Sequence, residues 1–145
     1  MRTHLLFLVL LTSFASGVAT ESDKQAKTIL DAARTAWAKN GLTDYSYTLE
    51  RGGVFGAGPK LRVRVVAGKC VKVTYWRRFL RHEDTCDNRT ILELLDELDR
   101  GIERNPISTR LQFDPQFGYP LRVSVEPRTD LSDQDWWYVI TRFKH

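Results

Sequence analysis

The chain has 145 residues, 42% of them hydrophobic, with 22 Lys and Arg against 18 Asp and Glu and a formal charge of +4. Once any targeting segment is removed, that length fits one ordinary domain able to bury a core. The mild positive excess keeps a protein soluble and is far from the dense basic footprint of a dedicated nucleic-acid binder, so nucleic acid is not expected as a partner.

At the N-terminus Arg2 precedes the apolar run Leu5 to Leu11, and the small residues Ala15, Ser16, Gly17 and Ala19 follow. A positive region, an apolar core and a small-residue zone in this order read as a signal peptide over residues 1–19. Residues 20–145 are then expected to form a single α+β domain. The apolar run is shorter than the roughly 20 residues that cross a bilayer, and no later stretch is apolar enough to try, so the cleaved chain is not expected to span a membrane. Cleavage takes away Arg2 and no acid, leaving 21 Lys and Arg against 18 Asp and Glu. The expected location is the periplasm or the extracellular space. Cys70 and Cys86 would meet an oxidising compartment there and are expected to form a disulfide. A redox pair would instead sit as Cys-x-x-Cys at a helix start, a spacing this chain lacks.

Ser22 with Gln25 is a capping signature, and Ala26, Ile29, Leu30, Ala33 and Trp37 follow at helical spacing until Asn40-Gly41. This predicts an amphipathic helix over residues 23–39. Tyr45, Tyr47 and Leu49 alternate with polar residues as a half-buried strand does. The glycine-rich stretch from Gly52 to Lys60 is not a phosphate loop: Pro59 separates Gly58 from Lys60, no Ser or Thr follows the lysine, and no helix starts there. It reads as a loop between strands.

Leu61 to Ala67 and Val71 to Trp76 alternate around a turn at Gly68-Lys69 and predict a hairpin. Arg77 to Asp87 reads as a charged loop tied back by Cys86. Thr90 and Glu93 make a second capping box, with Ile91, Leu94, Leu95, Leu98 and Ile102 on one face of a helix that ends at Asn105-Pro106. Its acids, Glu93, Asp96, Glu97, Asp99 and Glu103, read as the wet face. Asn88-Arg89-Thr90 has the form of a glycosylation sequon but sits where the helix wants its cap.

Three more strands are predicted at 107–113, 121–126 and 136–143, the last two joined by the acidic loop 129–135. Between the first two lies Phe113 to Pro120. Asp114-Pro115 suits the start of a type I turn, Gly118 can take a positive φ, and Pro120 can begin a strand but not donate within one. Asp114, Pro115, Gly118, Tyr119 and Pro120 are therefore assigned a structural turn rather than a ligand loop. The element order α-β-β-β-α-β-β-β predicts an α+β fold, an antiparallel sheet of about six strands with two helices packed on one face.

The helix with Trp37, then Tyr45-Ser46-Tyr47, Val63-Arg64-Val65, Thr90-Ile91, Phe113-Asp114 with Gly118-Tyr119-Pro120, and Tyr138-Val139-Ile140 together resemble domain of unknown function family 6174, of exported bacterial proteins. The resemblance spans nearly the whole mature chain, and the Gly-Tyr-Pro hairpin is its most specific piece. Some members carry cysteines in the loop after the first strand where this chain has glycines, so no role of those cysteines transfers. The resemblance implies export and this architecture and supplies no activity.

Chemistry is sparse. Apart from His145, the mature chain holds only His82, beside Glu83 and Asp84, with no recognisable nucleophile elbow. Consecutive side chains point different ways, so these three do not make a metal site, and neither a metal nor a cofactor is expected. Functional interest lies instead in strand alternation. If Val63, Val65, Val71, Val73, Leu111, Val123 and Val125 face the helices, then Arg62, Arg64, Lys72, Trp76, Arg110 and Arg122 share the opposite face. Arg can fork to carboxylate or phosphate there and Trp can supply a stacking plane, although open sheets also wet a free side with long cations. The reading adopted is a non-catalytic exported binding or interaction module using that basic face, with an anionic envelope component or protein as partner. The alternative is a small exported hydrolase using His82 or a loop carboxylate.

Overall fold

The structure is a computed structural model that describes residues 22–128 and 135–145. The expected signal peptide and residues 129–134 of the expected acidic loop lie outside the described residues.

Helix α1 (Asp23–Asn40) starts at Ser22, whose side-chain oxygen accepts from the Gln25 N–H at 3.4 Å and satisfies one donor that a helix start leaves open. It stops at Gly41, whose φ of 60° lets its N–H bond back to the Trp37 carbonyl. Ala26, Leu30, Ala33 and Trp37 form its buried stripe. The chain continues through β1 (Tyr45–Gly53), β2 (Gly56–Ala57), β3 (Leu61–Val66), β4 (Lys69–Arg77) and β5 (Leu80–Asp84). Then come α2 (Ile91–Glu103), β6 (Ser108–Phe113), β7 (Pro120–Glu126) and β8 (Trp136–Lys144).

Among the described residues all strands join one antiparallel sheet in the order β5-β4-β3-β1-β8-β7-β6, with β2 attached to β1. The two helices pack against each other, α1 also against β6 and α2 against β7. Leu30, Leu49, Val63, Val73, Leu94, Leu98, Val123, Tyr138 and Ile140 meet between helices and sheet, each fully buried side chain contributing about 1.5–3 kcal/mol.

Two strands exceed the expected six. Gly52-Gly53 fold back on Gly56-Ala57 to make β2, so part of the glycine-rich stretch is a hairpin tip. Residues 80–84, read as loop, are an edge strand paired to β4. Charged residues are how an edge discourages further pairing, and that polarity disguised the strand.

Three β-bulges change which face side chains take. In the β3–β4 pair, Arg64 is opposite Lys72 but Val65 is opposite Cys70, leaving Val71 as the extra residue. Val71 is therefore 54% exposed rather than facing the helices as alternation predicts, and Cys70 packs on the core in its place. In the β1–β8 pair, Thr48 is opposite Thr141 and Ser46 opposite Lys144. The extra residue lies beside Arg142, at φ 53°; Phe143 thereby reaches the core, and Lys144 turns to the other side. The third, in β7, falls at Leu121.

The acids of α2 are not simply wet. Asp96 and Asp99 pair with Arg34 of α1 at 2.8 and 3.3 Å, Asp99 also holds Lys27, and Glu97 pairs with Arg51 of β1. Helical spacing cannot distinguish water from a cation on a neighbouring element.

The Phe113 to Pro120 segment closes as a tight turn. The Asp114 carboxylate accepts from the Gln116 and Phe117 N–H groups at 3.0 and 2.8 Å, and Gly118 donates to the Asp114 carbonyl at 2.9 Å. Pro115 lies within it, and Gly118 has φ 79°, where a Cβ would collide with the Ala33 carbonyl of α1. Tyr119-Pro120 is trans, and the Tyr119 ring stacks on Phe143 with centroids 4.2 Å apart. The turn thus anchors the β6–β7 hairpin beneath α1. Of the adjacent tryptophans, Trp136 lies against Gly101 of α2 and Trp137 against Gly52.

Candidate functional site

Side chains opposite the helix layer form an open face, and the strand registers fix its map. One cross-strand row runs Lys72, Arg64, Ser46, Lys144 over β4, β3, β1 and β8. The next runs Glu83, Thr74, Arg62, Thr48, Thr141. A third contains Glu50, Val139, Arg122 and Gln112, and a fourth Gly52, Trp137, Ser124 and Arg110. Trp76 shares the parity of Lys72 and Thr74 on β4 and is 62% exposed.

Arg62, Arg64, Lys72, Trp76, Arg110 and Arg122 thus lie on one exposed face, but not as one patch. Arg62, Arg64, Lys72 and Trp76 cluster on β3 and β4, while Arg110 and Arg122 are diagonal neighbours on β6 and β7. Between Arg62 and Arg122 lie three inter-strand steps, about 14 Å. Thr48, Thr141, Val139 and Trp137 of β1 and β8 fill the gap.

The β3–β4 lobe is electrostatically uneven. Arg64 is directly opposite Lys72, an arrangement of like charges that costs a few tenths of a kcal/mol or more. Lys72 is relieved by Glu83 at 3.3 Å, and Lys60 pairs with Glu50 at 3.5 Å. Among the described residues Arg62, Arg64, Arg110 and Arg122 form no ion pair. Beside Arg64 a shallow cleft of about 270 Å³ is lined by Asp44, Ser46, Arg64, Val65, Lys144 and His145, among others. Arg64 and Lys144, around the Ser46 hydroxyl, suit a carboxylate or phosphate oxygen, with the Asp44 carboxylate on the same lining. Lys144 was missed in the sequence because the β8 bulge reverses the face that alternation assigns to it.

Elsewhere the candidate residues have other attachments. Cys70 and Cys86 form a disulfide with Cα atoms 5.6 Å apart, linking β4 to the segment before α2. His82 sits in β5 opposite Tyr75, its ring stacked on the tyrosine with centroids 5.1 Å apart. Glu83 points to the open face toward Lys72, whereas Asp84 pairs with Arg89 at 3.4 Å. The three consecutive residues therefore diverge. Among the described residues no group of His, Cys, Asp and Glu side chains is arranged to hold a metal, and no helix is long and apolar enough to cross a membrane.

Fold and face together define an α+β protein whose antiparallel sheet is covered by helices on one side and, among the described residues, uncovered on the other. The family model described as a family of unknown function, DUF6174, matches residues 29–145, and the chain belongs to that family. A comparison with curated proteins finds no match.

Proposed function

We propose that the protein is an exported, non-catalytic binding module that holds an anionic partner, a component of the cell envelope or a protein, on the bare face of its sheet. The observation that supports this reading is Arg64, set against Lys72 across the strand pair, with no ion pair of its own among the described residues and bordering a cleft shared with Lys144. An anion there gives Arg64 the counter-charge that Glu83 already gives Lys72. Arg62 and Trp76 extend the surface, and Arg110 with Arg122 offer a second contact for a ligand long enough to cross the central strands. Export is supported by the signal-like residues 1–19 and by the disulfide, which persists in oxidising compartments. The non-catalytic reading is supported by the ion pairs of Glu83 and Asp84 and the stacking of His82.

Charge reversal at Arg62, Arg64 and Arg122 is expected to abolish cross-linked capture of an anionic component from the envelope fraction, with the melting temperature and circular dichroism retained. Undiminished capture by the folded variant contradicts the proposal.

A further inference from the structure

At the end of the sheet where β7 also connects to β8 through Asp135, beside Gly53, two two-residue turns carry aromatic side chains outermost. β4 and β5 are joined by Arg78 and Phe79 alone, with Arg77 opposite Leu80, and the two turn residues have φ of 49° and 66°. Such a turn suits Asn and Gly, because left-handed backbone crowds a Cβ. Here it carries an arginine and a phenylalanine, and Phe79 is 97% exposed. Leu80 and Trp76 are also exposed, and Arg77 and Arg81 complete a hexapeptide, Trp76 to Arg81, that is half apolar and half cationic. The β1–β2 turn is also two residues long, Val54 and Phe55, with the left-handed backbone at Gly56 instead, and Phe55 is 93% exposed.

Register brings the two turns together. Thr74 of β4 and Thr48 of β1 both lie opposite Arg62 of β3, so Arg78 is level with Gly52. The tips project the same way from strands two spacings, about 10 Å, apart. Neither phenylalanine belongs to the core, so packing does not account for them, and the β4–β5 turn would form more easily without Phe79.

We infer that this end of the molecule docks on an anionic lipid bilayer, with Phe55 and Phe79 entering the headgroup layer and Arg77, Arg78 and Arg81 meeting lipid phosphates. Aromatic side chains settle at the membrane interface, and each nearby cation adds attraction to an anionic leaflet. A fluid surface accommodates isolated apolar tips on separate turns. A protein partner would instead need a contiguous, shape-matched patch of about 800 Å². The inference does not rest on the sheet-face reading, and its variants leave Arg62, Arg64 and Trp76 intact.

The test is sedimentation of the purified protein, its N-terminus checked by mass spectrometry, with vesicles of phosphatidylcholine alone or mixed with phosphatidylglycerol. The protein is expected to sediment with the anionic vesicles, and less so as salt rises. Phe79→Gly suits the turn and is expected to raise the melting temperature, so a binding loss cannot be ascribed to unfolding. Combined with Phe55→Ser it should weaken vesicle binding roughly tenfold or more. Wild-type binding by the double variant overturns the proposal, as does equal binding to both vesicle types. Indifference to both vesicles together with capture of an acidic protein overturns it too and assigns the tips to a protein partner.

Discussion

Glu93 closes the start of α2 in both directions. Its carboxylate accepts from the Thr90 and Arg89 N–H groups at 2.8 and 3.0 Å, while its own N–H donates to the Thr90 hydroxyl at 3.2 Å. Burial alone would push its pKa up, but the hydrogen bonds from Thr90 and Arg89 outweigh that and hold it below the ordinary 4.5. A carboxyl whose folded pKa is depressed contributes stability that is full above its unfolded pKa and is lost as pH falls through the folded one. Chemical denaturation of the wild type should therefore show stability declining below pH 4.5, and Glu93→Gln should flatten part of that decline. The same variant should cost about 1 kcal/mol at neutral pH. An unchanged acid limb would remove Glu93 as its source. Both caps were legible in the sequence, because Ser22 and Thr90 each precede an apolar helical stripe and have a partner three residues on.

For the strands, legibility depended on whether side-chain pattern and backbone agreed. β1 and β3 alternate cleanly and were readable, as was β8 as far as Thr141. Val71, Phe143 and Lys144 were not, because a bulge inserts a residue with no signature of its own and every side chain beyond it changes face. β5 escaped because its turn is Arg78-Phe79 rather than Asn-Gly and its residues are charged. The Cys70–Cys86 disulfide ties β4 to the chain just before α2, closing a sequence separation of 16. Replacing both cysteines by serine is expected to cost about 3 kcal/mol. For a domain of this size that lowers Tm by roughly 10 °C, as a thermal melt would read. A shift under a few degrees would mean that α2 and the sheet hold this segment without the covalent link.

Across the whole molecule the helices cover one side of the sheet, leaving its chemistry on the other. Arg34, Lys27 and Arg51 are consumed in tying α1, α2 and β1 together, whereas Arg62, Arg64, Arg110 and Arg122 remain on the bare side. That division was partly readable from alternation; the split into two lobes was not, since it depends on β1 and β8 pairing at the centre. The central claim, that the β3–β4 lobe holds an anion, is tested most directly by titrating short-chain polyphosphate into isotope-labelled protein and following amide and side-chain resonances by NMR. Saturable shifts are expected at Arg62, Arg64, Lys72, Trp76 and Lys144, with Ala33 and Leu98 on the helices unmoved. No shifts at those five residues, or shifts centred on the helices, would contradict it.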